Sequence, residues 1–306
     1  EARRRQFYED HKEIFDDFWN VILLLGRFPK EVEFSRYQEL KDLIRSPKLA
    51  LKLLLEIHGP ELWDESRRLR KEDLLVYVAI ANLRKKIPFN QLSETLRYDI
   101  RTFFKNYTNA LKEGLELLYA SGDPDEVELA CEELAVGWQD QQALYLHYSI
   151  LGELAPILRA YIGCASLRYG VVQETDIIKL HKRSGKVTFL KYEKFDRAVF
   201  PRLETRTKVD LRSGWVLFFD HYKEGQLLCF KERFLAENHP NTNAMKRWAN
   251  KLRKLGVEEE KFDPGFSRKT LCGPVVVRIH VVGFWCIVCA TFLTLYNITM
   301  SCRCHL

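Results

Sequence analysis

The chain has 306 residues, of which 46% are hydrophobic, and this is enough to bury a sizeable core in one or two domains. Its net charge of +6 permits contact with nucleic acid or an anionic surface but does not require it. The charged opening stretch does not predict a secretory signal peptide. Because the chain begins at Glu1 rather than at methionine, we expect it to be a fragment or a processed product.

Apolar residues at helical spacing predict a helical region over residues 1–170. Two helix starts are marked by proline at the first helical position, after Ser46 and after Asp123. The apolar block at residues 74–81 is too rich for a surface helix and indicates a buried one. The predicted helices cover residues 3–25, 31–45, 47–58, 60–86, 93–120, 124–136, 140–151 and 153–168.

Residues 177–192 predict a strand, a tight turn and a second strand. A Ser-Gly pair lies between the two β-rich runs, and glycine supplies the positive φ that short hairpin turns need. A two-residue turn would place Leu180 opposite Phe189. Alternation along the strands then predicts one mostly apolar face and a second face that carries Lys179 and His181.

The turn sequence Arg183-Ser184-Gly185 recurs as Arg212-Ser213-Gly214. Two hairpins in tandem predict one small antiparallel sheet, with the second hairpin at about residues 206–220. A further strand is predicted at residues 227–231, where Lys231 would form a surface ion pair at the sheet edge.

We therefore predict an α+β fold, in which a helical N-terminal half packs on a small antiparallel β-sheet of two tandem hairpins and a C-terminal helix follows. That last helix is predicted at residues 243–255 and is strongly basic. The predicted regions are a helical region at 1–170, an antiparallel β region at 171–236, a basic helical region at 237–268 and a hydrophobic, cysteine-rich tail at 269–306.

The tail has no acidic residue from Leu271 onward and no charge from Val281 to Tyr296. A membrane span over residues 275–300 is one interpretation, but the uncharged run is shorter than the ~20 residues that a span needs. A zinc site is a second interpretation, but one of its two cysteine pairs lacks the usual spacing. We favour a third, in which the tail is a sequence junction or a frame artefact.

The eight cysteines are unevenly spread along the chain. Five of them follow residue 270, whereas Cys131, Cys164 and Cys229 are far apart. Disulfide-stabilised secreted domains place their cysteines densely, so this spacing favours reduced core cysteines and a cytoplasmic protein.

The sequence lacks the motifs of several enzyme classes. There is no glycine-rich phosphate loop or dinucleotide fingerprint, no G-x-S-x-G motif and no H-E-x-x-H motif. Histidines 147, 181, 221 and 239 are scattered, without the spacing of metal ligands. We therefore predict no cofactor-binding or metal-binding residue in this chain, and the sequence does not identify a catalytic one.

The best candidate for contact with a ligand is the basic part of the first hairpin, with Tyr192 available to stack on a base. One alternative is a plain solvated hairpin tip, and another is an enzyme site around His181. The residues predicted to grip a nucleic-acid phosphate backbone are Lys179, His181, Lys182, Arg183 and Lys186.

Five runs of the chain match one known family in order and spacing, over roughly residues 10–240. These runs are Glu72–Arg84, Asp99–Phe104, Leu144–His147, Leu158–Ala165 and Ile178–Lys182. In these runs the chain resembles the DNA phosphorothioation-associated methyltransferases. It departs from the family pattern at Phe200, where the family has histidine, and at Cys229 and Phe230, where the family has a His-Arg pair.

The resemblance implies a bacterial protein that acts beside the enzymes that replace a phosphate oxygen of DNA with sulfur. Family members carry an S-adenosylmethionine-dependent methyltransferase domain before this region. This chain would then be a non-catalytic accessory region without the cofactor site, recruiting DNA or a partner of the modification machinery. The alternative is a protein–protein interaction scaffold without nucleic-acid contact.

Overall fold

The protein has an α+β fold with helices in its N-terminal half, a six-stranded antiparallel sheet and a C-terminal helix. The chain divides into two compact units, Glu1–Glu132 with Leu154–Cys164 and Glu133–Glu153 with Ala165–Leu306. The structure is a computed structural model that describes residues 2–84, 87–170, 175–220, 227–235, 239 and 242–254.

The first unit is built from helices, as the apolar spacing predicts. Two of the predicted helices are each divided in two, at His11 and at Lys105, and the helix predicted at residues 31–45 begins only at Tyr37, after a 3₁₀ helix at Glu31–Glu33. The division at Lys105 has a local cause, because the Asn106 side chain accepts a hydrogen bond from the Asn109 amide (2.8 Å) and caps a new helix. The helices are α1 (Ala2–Asp10), α2 (Lys12–Leu25), α3 (Tyr37–Ile44), α4 (Pro47–His58), α5 (Glu61–Arg84), α6 (Glu94–Phe104), α7 (Tyr107–Gly122), α8 (Pro124–Glu132) and α9 (Pro156–Tyr169), the last of which crosses from the first unit into the second.

A buried network of charges lies in the first unit beside its aromatic core. The Arg27 guanidinium and the Asp99 carboxylate are both shielded from solvent, and they pair directly. Arg27 also forms two 2.7 Å hydrogen bonds with Glu33, and Arg70 donates to the second oxygen of Asp99 at 2.6 Å. The negative partners hold the pKa of Arg27 above its ordinary value, although burial itself acts to lower it.

We expect the substitution Asp99→Ala to lower the free energy of unfolding by about 3 kcal/mol, because it removes the buried carboxylate that Arg27 and Arg70 share and leaves Glu33 as the remaining partner of Arg27. Urea denaturation followed by circular dichroism measures this loss. The matched control is Glu65→Ala, which removes a solvent-exposed partner of Arg68 and should cause a much smaller loss. Equal losses in the two variants would contradict the structural role of the buried network.

The sheet of the second unit is larger than the sequence predicts. Its strands follow chain order and every neighbouring pair is antiparallel. The prediction of a helix at residues 140–151 is wrong, because the second strand and most of a 3₁₀ helix (Tyr148–Glu153) lie there. All five residues of the second strand are buried, and a short apolar run of this kind fits a buried strand or a helix equally well. The strands are β1 (Trp138–Gln139), β2 (Ala143–His147), β3 (Ile177–His181), β4 (Lys186–Tyr192), β5 (Leu203–Asp210) and β6 (Val216–Asp220).

The first predicted hairpin is β3–β4, but its register differs from the prediction by two residues. Leu180 lies opposite Val187, and Phe189 lies opposite Ile178. The loop is therefore longer than a Ser-Gly pair, although Gly185 adopts the predicted positive φ of 70°. Because side chains alternate with a period of two, this shift leaves every residue on its predicted face.

The two tandem turns contact each other directly. The Leu211 amide donates to the Gly185 carbonyl oxygen (2.8 Å), and the Arg212 guanidinium donates to the Arg183 carbonyl oxygen (2.9 Å). The repeated Arg-Ser-Gly sequence therefore marks two adjacent loops that close the same end of the sheet.

The strand predicted at residues 227–231 is wrong. Leu227 forms a single bridge to Arg202, and a 3₁₀ helix, Lys231–Phe234, follows. Phe230 has a positive φ of 54°, which turns the chain away from an extended path. The predicted basic helix is confirmed as α10, Thr242–Lys254.

No helix in the described part of the chain is long and apolar enough to cross a membrane. The interpretations of the tail as a membrane span, a zinc site or a frame artefact all fall on residues 269–306. They therefore lie outside the described residues.

Candidate functional site

The register of the sheet collects basic side chains from three strands on one face. Lys179 of β3 lies opposite Thr188 of β4, which lies opposite Lys208 of β5. In the neighbouring rows, Lys186 lies opposite Asp210, and Arg206 lies opposite Leu190. We call this surface the basic face, and its members are Lys179, His181, Lys186, Arg206 and Lys208.

Contacts with the sheet fix the positions of several of these side chains. The Lys179 ammonium lies over the buried Tyr145 ring, 4.5 Å from its centroid. The Arg206 guanidinium lies 4.5 Å from the centroid of the Phe219 ring. The Lys186 ammonium is 3.7 Å from the Asp210 carboxylate, a pair at the end of the face.

Like charges crowd this surface, and their effect reaches neighbouring titratable groups. Burial, followed by the charges of Lys179, Lys208 and Lys186, lowers the pKa of His181 from its ordinary value to about 4. Burial, followed by the charges of Lys186, Arg206 and Lys179, lowers the pKa of Lys208. His181 is therefore neutral at pH 7, with its Nε2 atom 3.3 Å from the Thr188 hydroxyl. An anion bound on this face would relieve the repulsion.

The structure divides the predicted contact residues. Lys179, His181 and Lys186 lie on the basic face, and Arg183 is exposed in the adjacent turn. Lys182 is only 6% exposed, which is too buried for it to belong to the contact surface. The prediction that Tyr192 stacks on a base is wrong, because its ring is buried in the core of the unit.

Two basic residues of the face were missed by the sequence analysis. Arg206 and Lys208 belong to β5, and only the β4–β5 pairing brings them beside the first hairpin. The alternation of the segment Leu203–Asp210 is the signal that could have placed them on a common face.

The helix α10 presents a second basic surface in the same unit. Its buried residues, Met245, Ala249 and Leu252, recur at helical spacing and face the core. The helix contains no acidic residue, so its outer surface is strongly positive. The exposed cations of α10 are Lys246, Arg247, Lys251, Arg253 and Lys254.

A second cluster of titratable groups is buried in the unit. Lys231 is 2% exposed, so the prediction of a surface ion pair there is wrong. Its ammonium donates hydrogen bonds to the carbonyl oxygens of Phe195 and Ala198, the latter at 2.7 Å. Burial lowers its pKa to about 8, although Asp196 and Asp176 act in the opposite direction.

His147 and His239, which are far apart in sequence, meet in this cluster. Their ring centroids are 5.5 Å apart, and the His147 ring stacks on Phe195 at 5.1 Å. Burial, followed by the charge of His239, lowers the pKa of His147 to about 4. The His147 Nδ1 atom is 2.8 Å from the Ser149 hydroxyl.

The buried cluster fixes a loop against the apolar half of the sheet. Phe195 belongs to the same core as Ile177 and Leu190, which share the face of Lys179 by alternation. The bonds from Lys231 to the loop carbonyls satisfy groups that would otherwise be buried without partners. Within the described residues, no group of three or more His, Cys, Asp or Glu side chains is placed to hold a metal ion.

Comparison with protein-family models finds no match to this chain, and comparisons with curated proteins and with solved structures also find none. The resemblance described in the sequence analysis therefore remains a hypothesis. We therefore infer a function from the geometry and charge of the second unit.

We expect the substitution His181→Gln to change how stability depends on pH. The folded protein binds a proton at His181 only near pH 4, whereas the unfolded chain binds it near pH 6.5. The contribution of His181 is therefore complete above pH 6.5 and is lost as the pH falls towards 4. Between pH 6.5 and pH 4 the free energy of unfolding of the wild type should fall by roughly 1 kcal/mol more than that of the variant.

Urea denaturation at a series of pH values measures the difference between the two proteins. His147 and Asp176 titrate in both proteins, so their contributions cancel in this comparison. If the free energies of unfolding of the two proteins differ by a constant amount from pH 6.5 to pH 4, the result would contradict the lowered pKa of His181, which burial and the neighbouring lysine charges cause.

Proposed function

We propose that this chain binds the phosphate backbone of DNA through the basic face and serves as the accessory region of a DNA phosphorothioation-associated methyltransferase. The observation that carries the proposal is the gathering of Lys179, Lys186, Arg206 and Lys208 on one face of the sheet. Evenly spaced phosphates are the natural counterpart of such a surface, because each contact releases condensed counterions from the nucleic acid.

The strand spacing of the sheet supports this assignment. Neighbouring strands lie about 4.8 Å apart, so Lys179 and Lys208, which Thr188 separates in their row, lie two strand spacings apart. Long lysine and arginine side chains can therefore reach successive phosphates of one strand. The cations on the outer surface of α10 add to the positive field that attracts DNA.

The link to DNA modification rests on the resemblance of the chain to the phosphorothioation-associated family. In this proposal S-adenosylmethionine binds to another domain of the full-length protein. This chain recruits DNA or a partner of the modification machinery and catalyses no reaction itself. The setting is the bacterial cytoplasm, where the genome is modified. Among the described residues, Cys131, Cys164 and Cys229 are thiols rather than disulfides, and the proposed cytoplasmic setting predicts reduced cysteines.

A protein–protein interaction scaffold is the second candidate. It is favoured by the exposed apolar residues of β6, since an edge strand can pair with a strand of another protein. The two candidates differ in their dependence on salt, because phosphate contacts weaken steeply as salt rises and apolar strand pairing does not.

We expect the double substitution Lys179→Ala with Lys208→Ala to weaken binding of duplex DNA and to reduce the salt dependence of that binding. Each phosphate contact contributes about one unit to the slope of log K against log salt, so the slope should fall by about two. Fluorescence anisotropy with a labelled duplex over a series of salt concentrations measures both quantities.

Two variants control for this experiment. Lys112→Ala removes an exposed lysine from α7 in the other unit and should leave the slope unchanged. Lys208→Arg keeps the charge on the basic face and should retain most of the affinity. A wild-type protein that binds no DNA at low salt would refute the proposal and favour the scaffold.

A further inference from the structure

Among the described residues, the strand β6 is a mostly apolar edge of the sheet that ends on Asp220. It lies at the end of the six-stranded sheet, and all five of its residues are exposed. Edge strands of soluble proteins commonly carry lysine or proline, which discourage association, but β6 has neither. A surface of this kind points to a ligand with an apolar, flat component.

Alternation along β6 places part of this apolar edge on the basic face. Leu217 lies opposite Lys208, and Phe219 lies opposite Arg206. The Asp210 amide donates to the Trp215 carbonyl oxygen at 2.9 Å, which continues the ladder by one pair. Trp215 therefore shares the face of Leu217 and the cations, whereas Phe218 lies on the opposite face with Thr207.

The result is two parallel columns of side chains with complementary chemistry. The outer column, Trp215 and Leu217, is apolar, with exposures of 68% and 47%. The next column, in β5, carries Arg206 and Lys208, and at its end Asp210 lies beside Trp215 and pairs with Lys186 at 3.7 Å. The basic column continues inward to Lys179 in β3.

We infer that the face formed by these columns binds single-stranded nucleic acid, with bases stacked on the β6 side and phosphates held by the cations of β5 and β3. This inference rests on the proposed function and specifies the form of nucleic acid that is bound.

The chemistry of the face favours a single strand over a duplex. In a duplex the bases are paired and stacked inside the helix, so an exposed indole ring has no base face to contact. In a single strand every base offers an aromatic face beside its own phosphate, which matches the exposed Trp215 ring and the apolar Leu217 next to the cations of β5. A protein strand paired on β6 would use the apolar residues of the edge but would leave the cations without a counterpart.

The test compares a labelled oligothymidine of about 12 nucleotides, within the site sizes of known single-strand binding folds, with a duplex of equal length. Anisotropy titrations are made with the wild type, Trp215→Ala and Phe218→Ala. The two substitutions remove similarly exposed aromatic rings from the same edge of the sheet but from opposite faces. Circular dichroism confirms that each variant is folded.

We expect the single strand to bind more tightly than the duplex, and Trp215→Ala to weaken single-strand binding about tenfold. Phe218→Ala should leave the affinity unchanged, and Trp215→Phe should retain most of it because an aromatic face remains.

Equal affinity for both forms of DNA, with no effect of Trp215→Ala, would overturn this inference and leave the proposed function standing. Absence of binding to either form would overturn both. Equal losses from Trp215→Ala and Phe218→Ala would overturn the inference in favour of non-specific adhesion or protein docking along β6.

Discussion

The constraint on which the rest of the second unit depends is the two-residue alternation of side chains along its antiparallel strands. This alternation places Lys179, Arg206 and Lys208 on one face, and the hydrogen-bonded rows hold them there. The cations cannot separate without breaking the sheet, so their repulsion persists in the folded protein. Burial and, after it, that repulsion lower the pKa values of His181 and Lys208, and a bound anion would relieve the repulsion.

The same face is divided between two environments, and the division limits where a ligand can bind. Towards Leu190 the face is covered by a loop, which Lys231 holds through hydrogen bonds to the carbonyl groups of Phe195 and Ala198. Towards Lys208 the side chains are partly exposed and basic. The buried cluster around His147 thus belongs to the support of the loop, and the exposed half of the face is the surface that a partner can reach.

Local sequence signals were enough to predict the helical first unit, the two hairpins and the faces of β3 and β4. The predicted faces of the strands are correct despite a register error of two residues, because a shift by an even number of residues leaves each side chain on the same face. The strand β2 was missed, since its uninterrupted apolar run lacks the alternation of a half-buried strand. Lys231 was misjudged because burial of a lysine depends on carbonyl groups that are distant in sequence. For the same reason, only the pairing of β4 with β5 could place Arg206 and Lys208 beside the hairpin.

The most direct test of the account is an amide chemical-shift map of the protein titrated with DNA. If the basic face is the contact surface, the largest shifts will lie in β3, β5 and β6, around Lys179, Lys208 and Leu217. A high salt concentration should abolish these shifts, because phosphate contacts are electrostatic. Shifts confined to the helices of the first unit, or no shifts at low salt, would contradict the central claim.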